Sequence, residues 1–190
     1  ITAKDKDRVR MYSLNPSNGK IKQLQAKEDV ISDYSIANQA FEMVYFGLSA
    51  SNSQRLYTYN LKNDASSCLI DLSKEILRDV TLGEVQDWNF VSAQGDTIYG
   101  RFYLPPHFDA TKKYPMIVNY YGGTTPTARV MESRYPSHVY AGLGYIVYII
   151  QPSGATGFGQ EFSARHVNAW GKLTADEIIE GTKKFCEEHP

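Results

Sequence analysis

A chain of 190 residues makes one large domain or two modest ones, and 42% hydrophobic with 22% charged residues excludes disordered and fibrous classes. A formal charge of −1 gives no electrostatic footprint for nucleic acid or an anionic membrane. No apolar run is long enough to cross a bilayer, and four histidines and two cysteines (Cys68 and Cys186) lack metal-ligand spacing, so no metal or cofactor is expected.

The first seventy or so residues carry short alternating segments and no helical period. Val9 to Leu14 reads as a strand with Val9 and Met11 on one face. Asn15-Pro16-Ser17-Asn18-Gly19 is a hairpin signal, and Lys20 to Gln25 is the returning strand. Further strands are expected over Asp33 to Ala37, Phe41 to Ser49, Gln54 to Leu61 and, more weakly, Ser67 to Asp71. Arg10-Met11-Tyr12-Ser13-Leu14-Asn15 matches Arg55-Leu56-Tyr57-Thr58-Tyr59-Asn60 in residue type, and 55 minus 10 is 45. A period of roughly 40 to 45 residues with about four strands per unit is that of β-propeller blades, each of which needs neighbours to bury its faces. A small antiparallel sandwich is the alternative.

The pattern weakens from Ser73 to Val85, and Gly83 marks the expected change of domain. Asp87 to Ser92 and Thr97 to Leu104 then read as two strands about the turn Ala93-Gln94-Gly95-Asp96, with Pro105-Pro106 ending the second. Tyr114 to Gly123 (YPMIVNYYGG) follows: an unbroken apolar run, with a proline before it and two glycines after it. A strand buried on both faces reads this way, and ligands of α/β proteins bind at the carboxyl ends of such strands. Ser137 to Ala141 is a short predicted helix, and Tyr145 to Ile150 a second wholly apolar strand. Two such strands joined by a helix make a right-handed parallel crossover. The last helix carries Thr174 and Glu177 at capping-box spacing, an expected apolar face of Ile178, Ile179, Phe185 and Cys186, and a Glu180–Lys184 pair. The chain opens at Ile1 and closes on Glu187-Glu188-His189-Pro190 just past that helix, which reads as an internal piece of a longer polypeptide.

Among motifs, Gly154-Ala155-Thr156-Gly157-Phe158-Gly159 is GxxGxG, not the GxGxxG of dinucleotide folds, and no phosphate-loop lysine follows, so a crossover loop is expected. No GxSxG nucleophile elbow occurs. Ser153 lacks the first glycine of that elbow, and His138 and His166 read as ordinary surface or helix histidines; His189 stands too near the end to read. Tyr121 differs. A phenol at the end of a strand, next to Gly122 and Gly123, can aim its OH into a cleft and stabilise the oxyanion of a tetrahedral intermediate; the alternative is a tyrosine that only packs.

With these residues in view, the chain resembles the prolyl oligopeptidase family of serine peptidases, including its dipeptidyl peptidase branch. The likeness rests on YPMIVNYYGG, Leu104-Pro105-Pro106, the strand Gly144 to Ile149, the glycine loop from Gly154 to Gly159, Trp170-Gly171 and the helix with Asp176-Glu177. The resemblance implies residues 1–81 as the C-terminal strands of a β-propeller. It implies residues 82–190 as the N-terminal portion of an α/β-hydrolase domain, stopping before the nucleophile elbow. It further implies hydrolysis of short peptides, often after proline, through an acyl-enzyme, with a Ser-Asp-His triad absent from this chain and Tyr121 as oxyanion donor. The chain alone is expected to be inactive. Two positions depart from the family: Thr124-Thr125 follows Gly123 where proline is frequent, and Ser153 stands where many members have arginine. An esterase or other acyl hydrolase on the same fold, and a non-catalytic propeller binding module, are the competing readings. The resemblance also makes a periplasmic or secreted setting an expectation and leaves room for a homo-oligomer through the hydrolase domain.

Overall fold

A computed structural model describes residues 1–169 and 171–189. It contains two compact units, Ile1–Val80 with Ala128–Arg134, and Thr81–Thr127 with Tyr135–Pro190.

The first unit is built of strands: β1 (Thr2–Asp5), β2 (Arg8–Leu14), β3 (Ile21–Gln23), β4 (Val30–Ile36), β5 (Glu42–Ser49), β6 (Asn52–Asn60) and β7 (Ala65–Asp71). A single helical turn, α1 (Ser73–Ile76), follows them. The strand order is β1-β2-β4-β5-β6-β7, with β3 also on β2. β1 has no apolar residue facing inward; its four residues, Thr-Ala-Lys-Asp, are all exposed, and it is held by backbone pairing to β2, with Asp5 Oδ2 4.0 Å from Arg10 Nε. The sequence repeat is visible in register. Tyr12 pairs with Gln23 and Ser13 with Lys22, while Tyr57 pairs with Cys68 and Thr58 with Ser67, so both hairpins keep the 45-residue offset pair for pair. β2 and β6 are not neighbours, since β4 and β5 stand between them. The strands form an open path, not a closed ring.

Tyrosines dominate the core of this unit. Tyr45, Tyr57 and Tyr59 pack with Met11, Ile31 and Met43, and the rings of Tyr45 and Tyr57 stack at 5.1 Å. Each buried ring keeps its polar tip satisfied: the Tyr59 hydroxyl accepts from Gln25 N–H at 3.0 Å, and Tyr57 donates to Glu28. Residues 128–134 belong here through Arg129, whose Nε lies 3.1 Å from Asp7 Oδ2.

The second unit contains β8 (Val85–Asp87), β9 (Phe90–Val91), β10 (Thr97–Tyr103), β11 (Met116–Asn119) and β12 (Ile146–Gln151). Its helices are α2 (Ser137–Gly142), α3 (Gln160–Ala164) and α4 (Lys172–Glu188). The sheet runs β11-β12-β10-β8, with β9 also on β10; β11 and β12 are parallel and the remaining pairs antiparallel. The crossover from β11 to β12 passes through α2, as the two apolar runs predict.

Four expectations need correction. The strand expected over Asp87 to Ser92 is broken at Trp88 and Asn89, because the Asn89 side chain accepts from Gly100 N–H at 3.2 Å in place of a ladder carbonyl. β11 is half-buried along its length, not buried on both faces, since it is the end of the strand path among the described residues; β12 is the buried strand, with Val147 to Gln151 all inside. The capping box does not form. Helix α4 begins at Lys172 after Gly171, which puts Thr174 inside it and turns Glu177 into the core. The inward face is therefore Glu177, Gly181 and Phe185 at four-residue steps, with Ile178 half-buried beside it, while Ile179 and Cys186 are exposed. The expected Glu180–Lys184 pair is present at 2.9 Å. Trp170 of the Trp-Gly pair and Pro190 lie outside the described residues.

Gly83 and Gly181 are glycines for lack of room. A Cβ on Gly83 would stand 1.6 Å from the Leu104 carbonyl oxygen, and one on Gly181 would stand 2.6 Å from Phe90 Cε1. The core they serve contains Phe90, Ile98, Phe102, Tyr148, Ile150 and Phe185.

Candidate active site

Tyr121 stands two residues past the end of β11. Its ring is half-buried against the core of the second unit, and its OH donates to the carbonyl of Pro152, one residue past β12. Parallel pairing brings these two places together, since Asn119 is in register with Ile149. Burial pushes the phenol pKa above its ordinary value, and the Glu177 carboxylate pushes it further the same way. The hydroxyl is therefore a neutral O–H donor throughout the physiological range.

Beside it is a cleft of about 410 Å³ lined by Tyr120, Tyr121, Gly122, Gly123, His166 and Ile178 among others. A Cβ added to Gly122 or Gly123 would meet nothing, and neither glycine has a positive φ. They leave space, and the chain bends over residues 122–125 without a positive φ at either glycine. Tyr120, the preceding residue, is exposed.

The segment after Gly123 is tied down at two points. Thr156 donates from its backbone N–H to Thr124 O at 2.9 Å. Buried Gln151 clamps Thr127, accepting from its N–H at 3.0 Å and donating to its carbonyl at 2.7 Å, and Arg101 Nη1 adds a 3.3 Å bond to that carbonyl. Sequence patterns single out none of these anchors. A signal exists for Gln151 alone, a polar residue at the end of an otherwise apolar strand.

The glycine loop is a crossover between β12 and α3. Gly154, Gly157 and Gly159 adopt φ of 104°, 97° and 100°, which L-residues rarely adopt, and a Cβ on Gly154 would stand 2.8 Å from His166 Nδ1. Ser153 is buried, with its N–H donating to Glu177 Oε2 at 2.7 Å. His138 packs edge-on against Tyr103 with ring centroids 5.0 Å apart, and His189 stacks on Phe185 at 4.3 Å. His166 thus lies against Gly154, next to Ser153, and lines the cleft beside Tyr121, while His138 and His189 pack on Tyr103 and Phe185. Among the described residues no group of three or more His, Cys, Asp or Glu could hold a metal ion, and no helix is long and apolar enough to cross a membrane.

Glu177 is the residue that sequence reasoning placed wrongly. It is 0% exposed, and burial raises its pKa above the usual carboxylate value, opposed by the Ser153 backbone and hydroxyl and reinforced by the charges of Asp96 and Glu180. The four-residue stripe with Gly181 and Phe185 is the signal that points it inward.

Architecture and site define a class first: an all-β unit joined to an α/β unit whose mixed sheet carries a parallel crossover with an open cleft at its carboxyl end. The comparisons show what the chain is similar to. Residues 132–189 match the sequence profile of the prolyl oligopeptidase family. Dipeptidyl-peptidase 5 of Porphyromonas gingivalis is 28% identical over 181 residues, 95% of this chain and 26% of that protein. Human dipeptidyl peptidase 8 is 32% identical over 119 residues, 60% of this chain and 13% of that protein. Among solved structures, Pyrococcus horikoshii acylaminoacyl peptidase superposes with a TM-score of 0.85 at 19% identity, covering 100% of this chain and 29% of that one. A dipeptidyl aminopeptidase IV-like protein of Bacteroides ovatus gives 0.78 at 20% identity, with 100% and 27% covered. At that identity the structural likeness is one of fold. The chain is thus similar to the prolyl oligopeptidase family over residues 132–189, and it spans about a quarter of the length of the relative that it matches along nearly all of its own length.

Proposed function

We propose that this chain supplies the oxyanion donor, and the frame that holds it, to a serine peptidase that cleaves short peptides through an acyl-enzyme. In this reading residues 1–81 are the last strands of a β-propeller, supported by the two hairpins in equivalent register, and residues 82–190 begin an α/β-hydrolase domain, supported by the mixed sheet and its crossover. The nucleophile, acid and base lie outside this sequence, in line with the missing GxSxG. The peptidase names of the relatives support peptide substrates, and one solved acylaminoacyl peptidase is in complex with Z-Gly-Gly-Phe-chloromethyl ketone.

The observation that carries the reading is the position of Tyr121: a neutral phenol at the carboxyl end of a parallel strand, beside an open cleft with no Cβ at the next two residues. A hydroxyl has one hydrogen bond to donate. At rest it goes to the Pro152 carbonyl, and in the reaction it is redirected to the substrate oxygen as charge develops there. That same resting bond favours the second reading, in which Tyr121 only braces the loop after β12.

Tyr121→Phe in the full-length protein separates the two, because it keeps the ring and deletes the OH. The catalytic reading expects kcat to fall by about 10²-fold, roughly 2.7 kcal/mol, with KM little changed. Wild-type kcat in Tyr121→Phe would leave the bracing role alone standing. Tyr145→Phe is the internal control, since Tyr145 is exposed and is not among the residues that line the cleft.

A further inference from the structure

One peptide group joins two of the residues described above. The carbonyl of the Pro152–Ser153 peptide accepts from the Tyr121 hydroxyl, and the N–H of the same peptide donates to Glu177 Oε2 at 2.7 Å. Tyr121, the peptide and Glu177 therefore form a hydrogen-bonded row that crosses from the end of β11, over the end of β12, to the inner face of α4.

We propose that Glu177 is a positioning residue for Tyr121, acting through the Pro152–Ser153 peptide. The proposal rests on the reading of Tyr121 as oxyanion donor. A peptide group is a rigid plane, so fixing its N–H fixes where its carbonyl oxygen points. Here the N–H is held by an acceptor that cannot easily move: Glu177 is fully buried on the same helix face as Gly181 and Phe185, and that face is packed on the sheet. The glycine at 154 gives the peptide no steric support of its own, and its φ of 104° shows that the chain turns away immediately afterwards. Without Glu177 the peptide is free to rotate towards another acceptor. The phenol then loses the acceptor of its hydroxyl proton and keeps only its backbone contact at Ala155.

Bonds in a row also reinforce one another. An anionic or strongly polar acceptor on the N–H makes the carbonyl at the other end of the same peptide a better acceptor. The proximity of Glu177 and Tyr121 is felt electrostatically as well, since the carboxylate is the second cause of the raised phenol pKa. The buried N–H of Ser153 needs an acceptor, and Glu177 supplies it to the same peptide whose carbonyl takes the Tyr121 hydroxyl. Burying a carboxylate is costly, and an apolar residue at a helix position facing the core is the cheaper choice.

The test is a double-mutant cycle in the full-length protein, with Tyr121→Phe, Glu177→Leu, the double variant, and Glu177→Gln. Glu177→Leu removes the acceptor and should lower kcat by about 10- to 10²-fold, the scale expected when a reacting group is misplaced, with KM nearly unchanged. In the Tyr121→Phe background the same substitution should cost nothing further, because what it positions has already gone. Glu177→Gln keeps an acceptor oxygen and should stay near wild type. An equal loss in both backgrounds, or no loss in the wild-type background, overturns the proposal. Should Tyr121→Phe retain full activity, the catalytic reading of Tyr121 fails by itself, and the positioning claim is judged on the ¹³Cζ resonance of Tyr121. A resonance that Glu177→Leu leaves unmoved refutes positioning; a displaced one supports it. If Glu177→Leu does not fold, Glu177→Asp takes its place, since its shorter arm withdraws the carboxylate from Ser153. The same resonance then decides, refuting positioning if it stays put and supporting it if it shifts.

Discussion

Gly181→Ala sets two effects of known size against each other. In a helix interior the change normally stabilises by about 1 kcal/mol, because alanine is the better helix former. At this position the new Cβ meets Phe90 Cε1 at 2.6 Å and Ile150 Cδ1 at 2.7 Å, where carbon contacts settle at about 3.5–4.0 Å. Neither neighbour retreats freely: Ile150 is 0% exposed and Phe90 7%, and the Trp88 ring stacks on Phe90 at 5.5 Å. Overpacking of a closed core costs about 1–3 kcal/mol, so the net expectation is a loss of roughly 1 kcal/mol. For a unit of about a hundred residues that lowers Tm by about 4–8 °C. The assay is thermal unfolding of the 190-residue chain by circular dichroism, with Gly142→Ala alongside. Gly142 ends α2, is exposed and has nothing within 4 Å of its Cβ, so the same substitution there should raise Tm slightly. Ile150→Val deletes the offending Cδ1 and should reduce the cost of Gly181→Ala by about 0.5–1 kcal/mol. If Gly181→Ala raises Tm as Gly142→Ala does, α4 does not dock on the sheet at this glycine and the inward face assigned to it is wrong.

Three further outcomes can be checked directly. Gly83→Ala should destabilise more than Gly181→Ala, because its Cβ would meet a backbone carbonyl at 1.6 Å and not the end of a side chain; a variant that unfolds at the wild-type midpoint refutes this. Phe185→Ala removes a ring in contact with Tyr148, Trp88, Phe102 and His189 and should cost about 3–5 kcal/mol in chemical denaturation. The purified chain should leave a serine-directed phosphonate probe unreacted, since it carries no elbow to present a nucleophile; stoichiometric labelling would show that a serine here is activated.

The sequence is legible where one local pattern is enough. The hairpin at Asn15–Gly19 and the run from Tyr145 to Ile150 each have a signal that no competing structure shares, and both form. β1 is not legible, because Thr-Ala-Lys-Asp has no period and owes its state to backbone bonds from β2. The error at Glu177 is more instructive. Thr174 and Glu177 satisfy the spacing of a capping box, but that spacing fixes no helix start, and Gly171 opens the helix a turn earlier. What decides the role of Glu177 is an N–H 24 residues away in sequence, and local patterns carry no information about it. The same holds for Gln151 and Arg101, whose partner Thr127 lies on a separate segment.

The rigidity of Tyr121 also needs a different argument from the one its sequence suggests. Apolar residues before it imply a strand locked on both faces, yet Met116 to Asn119 are half-buried and carry partners on one edge among the described residues. Strand burial therefore cannot be what fixes the phenol. Its constraint comes from the other side, through β12. That strand is buried along almost its whole length, its last residue clamps Thr127, and the peptide after Pro152 is held by Glu177. A donor fixed in this way depends less on its own strand than on a helix residue 56 positions further along (177 minus 121). It follows that substitutions in β11 that preserve its volume, such as Ile117→Leu, should disturb the site less than a change at Glu177, although Ile117 is far nearer to Tyr121 in sequence.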